Sequence, residues 1–235
     1  MKSGLLAVGI SVDPPLAHDA FRGEGTFSTC ERVVREIHQA RANLGSRTPS
    51  IVIYTTVYEE TYAALTCWAE QLRDWKIDML RLQHQIWLGN DRRLASERLI
   101  ASAIGDSTFF RSDVDTYCTD TMPNFDATIL EAQLRGLETG GYGFPIESHP
   151  PLPVEEMLEF YRDWDFERHT ARACALISEY AFVDPRGRLY PCLSLDMGNV
   201  FENSFESVWN GSRFRAFRRL LRREGRLPLC ARCPA

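Results

Sequence analysis

The chain has 235 residues, of which 44% are apolar and 25% charged, and its formal net charge is −5. This composition fits a globular protein of one large or two smaller domains, and it excludes a transmembrane chain because no apolar stretch reaches about 18 residues. We therefore expect a cytoplasmic protein with no membrane contact. In that reducing compartment, seven cysteines indicate metal or thiol chemistry rather than a disulfide framework.

The first two thirds of the chain alternate between strand and helix patterns. Short apolar runs predict strands at 5–13, 51–57 and 78–88. Helical periodicity predicts helices at 28–44, 59–75, 91–105, 125–137 and 153–164, and Ser28 with Glu31 forms a capping box at the start of the first. Because strands that alternate with helices need crossover connections, the pattern predicts an α/β fold with a parallel sheet.

Polar side chains fall at the carboxyl ends of two of these strands, where parallel α/β sheets bind ligands. Ser11 and Asp13 lie two residues apart at the end of the first strand, so they are expected to share a face and could hydrogen-bond a polar ligand. A turn or helix-capping role for Asp13 fits its position nearly as well. In the third strand Arg81, Gln83 and Gln85 alternate with apolar neighbours, which is unusual in a parallel sheet and predicts a polar group against that face.

Four cysteines near the carboxyl end are spaced like the ligands of one metal centre: Cys174, Cys192, Cys230 and Cys233. The closing Cys-x-x-Cys lets two thiolates from one tight turn reach the same ion or cluster. A turn signal at 184–187 predicts a hairpin that brings the first two cysteines towards each other. Residue chemistry alone leaves both zinc and an iron-sulfur cluster open, since four thiolates serve either.

The charge is uneven along the chain. Residues 205–235 hold eight arginines and two glutamates, a formal +6, which leaves −11 for the rest. A basic segment could bind nucleic acid, but arginines also offset the negative charge of a thiolate-bound cluster, and a helix with solvated arginines accounts for most of them equally well. We therefore expect no nucleic-acid partner.

Several of these segments resemble a known enzyme family. Ile10-Ser11-Val12-Asp13, the loop 18–27 and the strand 80–84 resemble the second half of the barrel of radical S-adenosylmethionine (radical SAM) enzymes. The segments 187–192, 198–199, 208–210 and 230–233 look like the twitch domain of that family, the shortened relative of its SPASM domain.

The resemblance implies a fold, a cofactor and site residues. It implies the C-terminal portion of a partial (β/α)6 barrel with parallel strands at 1–165, and a small α+β twitch/SPASM-like iron-sulfur domain at 166–235. It implies one auxiliary 4Fe-4S cluster, because the chain ends two residues after Cys233. The implied cluster ligands are Cys174, Cys192, Cys230 and Cys233. The residues implied to line the cofactor and substrate cavity are Ser11, Asp13, Gln83 and Gln85.

One feature of the family is absent from this sequence. Family members bind their catalytic cluster through Cys-x-x-x-Cys-x-x-Cys, and no three cysteines here have that spacing. The first strand resembles the fourth strand of the family barrel. We therefore expect the C-terminal part of a truncated or split enzyme, inactive alone, which binds S-adenosylmethionine and a peptide or small-molecule substrate only when a missing N-terminal segment or partner chain is supplied. The alternatives are a non-catalytic iron-sulfur module for electron transfer or partner binding, and a zinc-binding structural protein.

Overall fold

The computed structural model describes residues 4–105, 118–149, 151–167, 174, 176–192 and 195–233. The strands are β1 (Ala7–Ser11), β2 (Ser50–Val57), β3 (Met79–His84), β4 (Leu88–Gly89), β5 (Cys118–Thr119), β6 (Ile146–His149), β7 (Phe182–Val183) and β8 (Leu189–Tyr190). The α-helices are α1 (Pro15–Arg22), α2 (Thr26–Leu44), α3 (Leu65–Asp74), α4 (Asn90–Ile104), α5 (Ala127–Thr139), α6 (Val154–Arg162), α7 (Leu176–Glu179), α8 (Phe205–Trp209) and α9 (Ser212–Glu224). Short 3-10 turns occupy Tyr62–Ala64 and Pro228–Arg232. Within these ranges, no helix combines the length and apolar character that a membrane span requires.

The chain divides into two compact units, Met1–Gln85 with Pro123–Arg162 and Ile86–Met122 with Asp163–Ala235. The predicted domains, 1–165 and 166–235, differ from this division mainly in one segment. Residues 86–122 join the second unit because α4 packs against α9 and against the 3-10 turn Pro228–Arg232. The assignment of a barrel and an iron-sulfur module to the two predicted domains stays a prediction at this stage.

The first unit is built on a four-stranded parallel sheet in the order β1-β2-β3-β6. The register of the three pairings aligns one residue from each strand across the sheet: Ser11, Tyr54, Arg81 and Glu147. The predicted α/β fold with a parallel sheet is therefore confirmed. Since each strand follows its neighbour in sequence, right-handed crossovers place the connecting helices on one face of the sheet.

The two faces of this sheet differ in burial. Ile51, Ile53 and Leu80 are fully buried on one face, where each apolar side chain contributes about 1.5–3 kcal/mol relative to exposure. Trp68 of α3 lies against the same face, and its indole N–H donates to Thr55 Oγ1 at 2.9 Å. The alternate residues of β2 and β3 point the other way and are only half-buried. The helices thus cover one side of the sheet.

His84 lies on the covered face and is a core residue. Its Nδ1 is 2.8 Å from the Tyr161 hydroxyl, which in turn donates to the Val57 carbonyl at 3.1 Å. Burial, helped by the nearby His149, lowers the pKa of His84 to about 3. His84 is therefore neutral at physiological pH and serves packing, as its position among the apolar residues of the strand indicates.

The second unit packs around the inner face of α9. Phe214, Phe217, Leu220 and Leu221 are buried together with Ile100 of α4 and with Leu189 of β8. The predicted hairpin is confirmed, because β7 and β8 pair in antiparallel register around the turn 184–187. Asp184 shapes that turn, since its Oδ1 accepts from the backbone N–H groups of Arg186 and Arg188 at 2.9 Å each.

Candidate metal centre and polar sheet face

The closing Cys-x-x-Cys forms a single tight turn. Pro228 begins the 3-10 turn, and its fixed φ suits that position. The backbone N–H of Cys230 donates to the Leu227 carbonyl at 2.8 Å, and that of Cys233 donates to the Cys230 carbonyl at 3.1 Å. Two thiols therefore come from one turn, as the sequence spacing predicts.

Cysteines from three separated stretches border one hydrophobic core. Cys174, Cys192 and Cys230 all pack against the cluster that contains the inner face of α9. Cys192 lies two residues after the end of β8, so the hairpin constrains its position. None of the seven cysteines, all of which lie in the described ranges, forms a disulfide.

The electrostatics of these thiols point to a shared environment. Burial is the main cause that raises the pKa of Cys230 to about 11; a hydrogen bond with the Leu227 backbone opposes it, and the charges of Cys233 and Cys174 make smaller contributions that raise the pKa. The thiolates of three of the four cysteines would therefore repel one another. A bound cation or cluster relieves such repulsion, because it is the thiolate that ligates metals.

The donor chemistry fits an iron-sulfur cluster. Across the described ranges, no three His, Cys, Asp or Glu side chains converge closely enough to hold a single metal ion. A four-iron cluster does not require that convergence, since each of its irons takes one thiolate and the sulfurs stand further apart than around one tetrahedral ion. The ligand set Cys174, Cys192, Cys230 and Cys233 stays a prediction.

A buried cation lies within the cysteine turn. Arg232 is only 3% exposed, and its guanidinium lies 3.3 Å from the ring centroid of Trp87 and donates to the Asp163 carbonyl. Sequence reasoning counted this arginine only as part of a basic segment. The cation whose charge lowers the pKa of Cys230 is Arg226, whereas the Arg232 guanidinium packs on Trp87.

The open face of the parallel sheet carries a polar row. Arg81 stands at its centre, where its Nη1 donates to the Tyr54 hydroxyl at 3.2 Å and its Nη2 donates to Glu147 Oε2 at 2.7 Å. The Arg81 side chain keeps 31% of its surface exposed, so it remains accessible to a ligand. Ser11 is exposed at the end of the same row.

The predicted glutamines lie beside this row. Gln83 is half-buried and in register with Thr56 and His149, one step nearer the carboxyl edge of the sheet. Gln85 lies just beyond β3 and is also half-buried, and its backbone N–H donates to the Val57 carbonyl at 3.2 Å. The structure thus brings Ser11 and Gln83 to one face, together with polar residues that the sequence reasoning had not selected: Tyr54, Thr56, Glu147 and His149.

Asp13 is expected from the sequence to share the open face with Ser11, but it does not lie on that face. Its side chain is 0% exposed; Oδ1 accepts from the Thr56 backbone N–H at 2.8 Å and Oδ2 from Arg22 Nε at 2.7 Å. Strand β1 ends at Ser11, so the alternation of faces does not extend to residue 13. The two carboxylate oxygens thus join the end of β1 to β2, through Thr56, and to α1, through Arg22. A ligand role for Asp13 stays a prediction.

The comparisons with known proteins agree with the geometry of the second unit. Residues 174–234 match the SPASM family, an iron-sulfur cluster-binding domain. No curated protein matches the chain. The chain thus contains a SPASM domain, and the predicted iron-sulfur character of its carboxyl segment is confirmed at that level.

Proposed function

We propose that this chain is the C-terminal part of a radical SAM enzyme and holds one auxiliary 4Fe-4S cluster. The observation that carries the proposal is the SPASM match, because the matched segment 174–234 contains all four predicted ligands. The shared hydrophobic border of three of these thiols and the tight turn of the last two support it. When bound, the cluster supplies one-electron chemistry, and the thiolates of Cys174, Cys192, Cys230 and Cys233 hold it in place.

The winding of the parallel sheet supports a barrel for the first unit. In a doubly wound sheet the crossover helices cover both faces, which reverses the strand order at one point. Here the order β1-β2-β3-β6 runs without reversal, and one face carries a polar row. A sheet of that kind closes into a barrel with the polar row inside, where cofactor and substrate would bind.

The edge of strand β1 that is unpaired among the described strands favours a partner that completes the sheet. Among the described strands, β1 pairs with β2 alone, and Leu6, just before β1, is 75% exposed. An uncovered edge with apolar neighbours favours addition of another strand. A missing N-terminal segment or partner chain that carries Cys-x-x-x-Cys-x-x-Cys would join at this edge and supply the site for S-adenosylmethionine.

The polar row would then bind and orient ligands. The Arg81 guanidinium, with its neighbours Tyr54 and Glu147, provides a charged donor for a carboxylate of S-adenosylmethionine or of a peptide or small-molecule substrate. Ser11 and Gln83 offer further hydrogen bonds on the same face. Closure of the barrel would exclude water from this row and strengthen each of these interactions.

A reconstitution experiment tests the proposal. The chain is mixed anaerobically with a polypeptide that carries the first three strands and Cys-x-x-x-Cys-x-x-Cys, and 5′-deoxyadenosine formation from S-adenosylmethionine is measured with a reductant. We expect product from the mixture and none from either part alone. The matched control replaces the three cysteines of the added polypeptide with alanine, and product in that control, or from this chain alone, would contradict the proposal.

A further inference from the structure

The outward face of α9 carries a row of arginines, which we call the basic stripe: Arg215, Arg219 and Arg222. Their spacing of four and three residues places them on one side of the helix, opposite the buried Phe214 and Phe217. All three side chains are exposed, and none forms a hydrogen bond or ion pair with any residue in the part of the chain that the structure describes.

Among the described residues, no acidic side chain pairs with this stripe. Arginines three and four residues apart repel one another and destabilise the helix. The neighbouring Arg218 is different, because its guanidinium donates to the Ile177 and Trp209 carbonyls at 3.0 and 2.9 Å. Burial first, and then the charge of Arg222, lowers the pKa of Arg218. The stripe thus forms a local basic surface without acidic partners among the described residues, although acidic residues outnumber basic ones in the whole chain, 32 to 27.

The position of the stripe links it to the cysteines. The inner face of α9 belongs to the hydrophobic cluster that borders Cys174, Cys192 and Cys230. An α-helix with its side chains is about 10–12 Å thick. A protein that binds the outer face of α9 would therefore be separated from the thiols by at least the thickness of that helix.

We propose that the basic stripe docks an acidic protein that carries one electron, and that this carrier reduces the iron-sulfur cluster. One electron leaves the carrier and reduces the cluster, and no bond forms or breaks. Complementary charge speeds such an encounter and sets its orientation. The electron-transfer step rests on the proposed cluster, whereas the docking surface rests on the arginines themselves.

A carrier protein suits this surface better than a nucleic acid. The residues outside 205–235 carry a formal −11, which repels an extended polyanion that runs along the protein. A globular carrier with a local acidic patch needs to contact only the stripe. Its affinity should fall as salt screens the interaction, because the arginines are exposed.

The test measures binding of an acidic 2Fe-2S ferredoxin by calorimetry at about 50 mM salt, where screening is weak. The test variant replaces the stripe: Arg215→Gln, Arg219→Gln and Arg222→Gln. The control makes the same change in net charge at three exposed arginines whose side chains form no hydrogen bond or ion pair with the described residues: Arg47→Gln, Arg98→Gln and Arg186→Gln. We expect the stripe variant to weaken the ferredoxin Kd by roughly tenfold or more and the control by less than about twofold.

The outcomes separate docking from the cluster. Equal weakening by both variants would overturn the docking surface, because net charge alone would then explain it. Stripe-dependent binding of a 20-base-pair DNA duplex that is tighter than ferredoxin binding would also overturn it. Iron content is measured on each sample: stripe-dependent ferredoxin binding by a chain without iron would uphold the docking surface and overturn both the electron-transfer step and the proposed cluster.

Discussion

Replacing Cys230 with alanine should lower the iron content of anaerobically purified protein from about four atoms per chain to less than about one. The thiol of Cys230 comes from the closing turn and borders the core of the second unit. Loss of one thiolate leaves one iron of a cluster without its protein ligand. Cluster binding also supplies folding free energy to a small module, so soluble yield should fall together with iron.

Cys67→Ala is the matched control for this variant. Cys67 is an exposed thiol on α3 in the first unit and is not among the predicted ligands. Its replacement should leave iron and acid-labile sulfide at the wild-type level. Wild-type iron content in the Cys230→Ala protein would remove Cys230 from the ligand set.

Replacing Asp13 with alanine should lower the free energy of unfolding by about 2–4 kcal/mol. The substitution removes the acceptors for the Thr56 backbone N–H and for Arg22 Nε at a fully buried position. The carboxylate holds the end of β1 to both neighbours, so its loss should loosen the edge of the sheet. The urea midpoint of unfolding measures the effect.

Asp74→Ala controls for the loss of a carboxylate. Asp74 is exposed at the end of α3, and its replacement should change the free energy of unfolding by less than about 0.5 kcal/mol. An Asp13→Ala protein as stable as the control would mean that the buried carboxylate serves a ligand rather than the fold.

Periodicity predicted the central strands and helices because the burial of their side chains repeats regularly over many residues. Strands β2 and β3 alternate between buried and half-buried positions along their full length. Strand β6 was missed, since its four residues follow Pro145 and are too few to show a period. Glu147, which pairs with Arg81 across the sheet, was missed with it.

The start of α2 shows a limit of local signals. The capping box of Ser28 and Glu31 favours a helix that begins at residue 28, but α2 begins at Thr26. The carboxylate of Asp19 in α1 accepts from the backbone N–H groups of Gly25 and Phe27 and so holds the earlier start. A cap supplied by the preceding helix cannot be recognised from the capping-box spacing.

The candidate sites show a similar contrast. Spacing alone selected the cysteines, because a Cys-x-x-Cys turn is a local feature. The partners of Arg81 depend on strand register, and the burial of Arg232 against Trp87 depends on packing between distant segments. Register and packing are fixed by the whole fold, so no single stretch of sequence contains them.

The metal content of the wild-type chain tests the central claim most directly. The protein is purified without oxygen, and iron, acid-labile sulfide and zinc are measured per chain by elemental and colorimetric analysis. We expect about four irons and about four sulfides per chain, with zinc near zero, because the residues that match an iron-sulfur cluster-binding domain include the four cysteines proposed to hold one 4Fe-4S cluster. One zinc per chain with no sulfide would contradict the account.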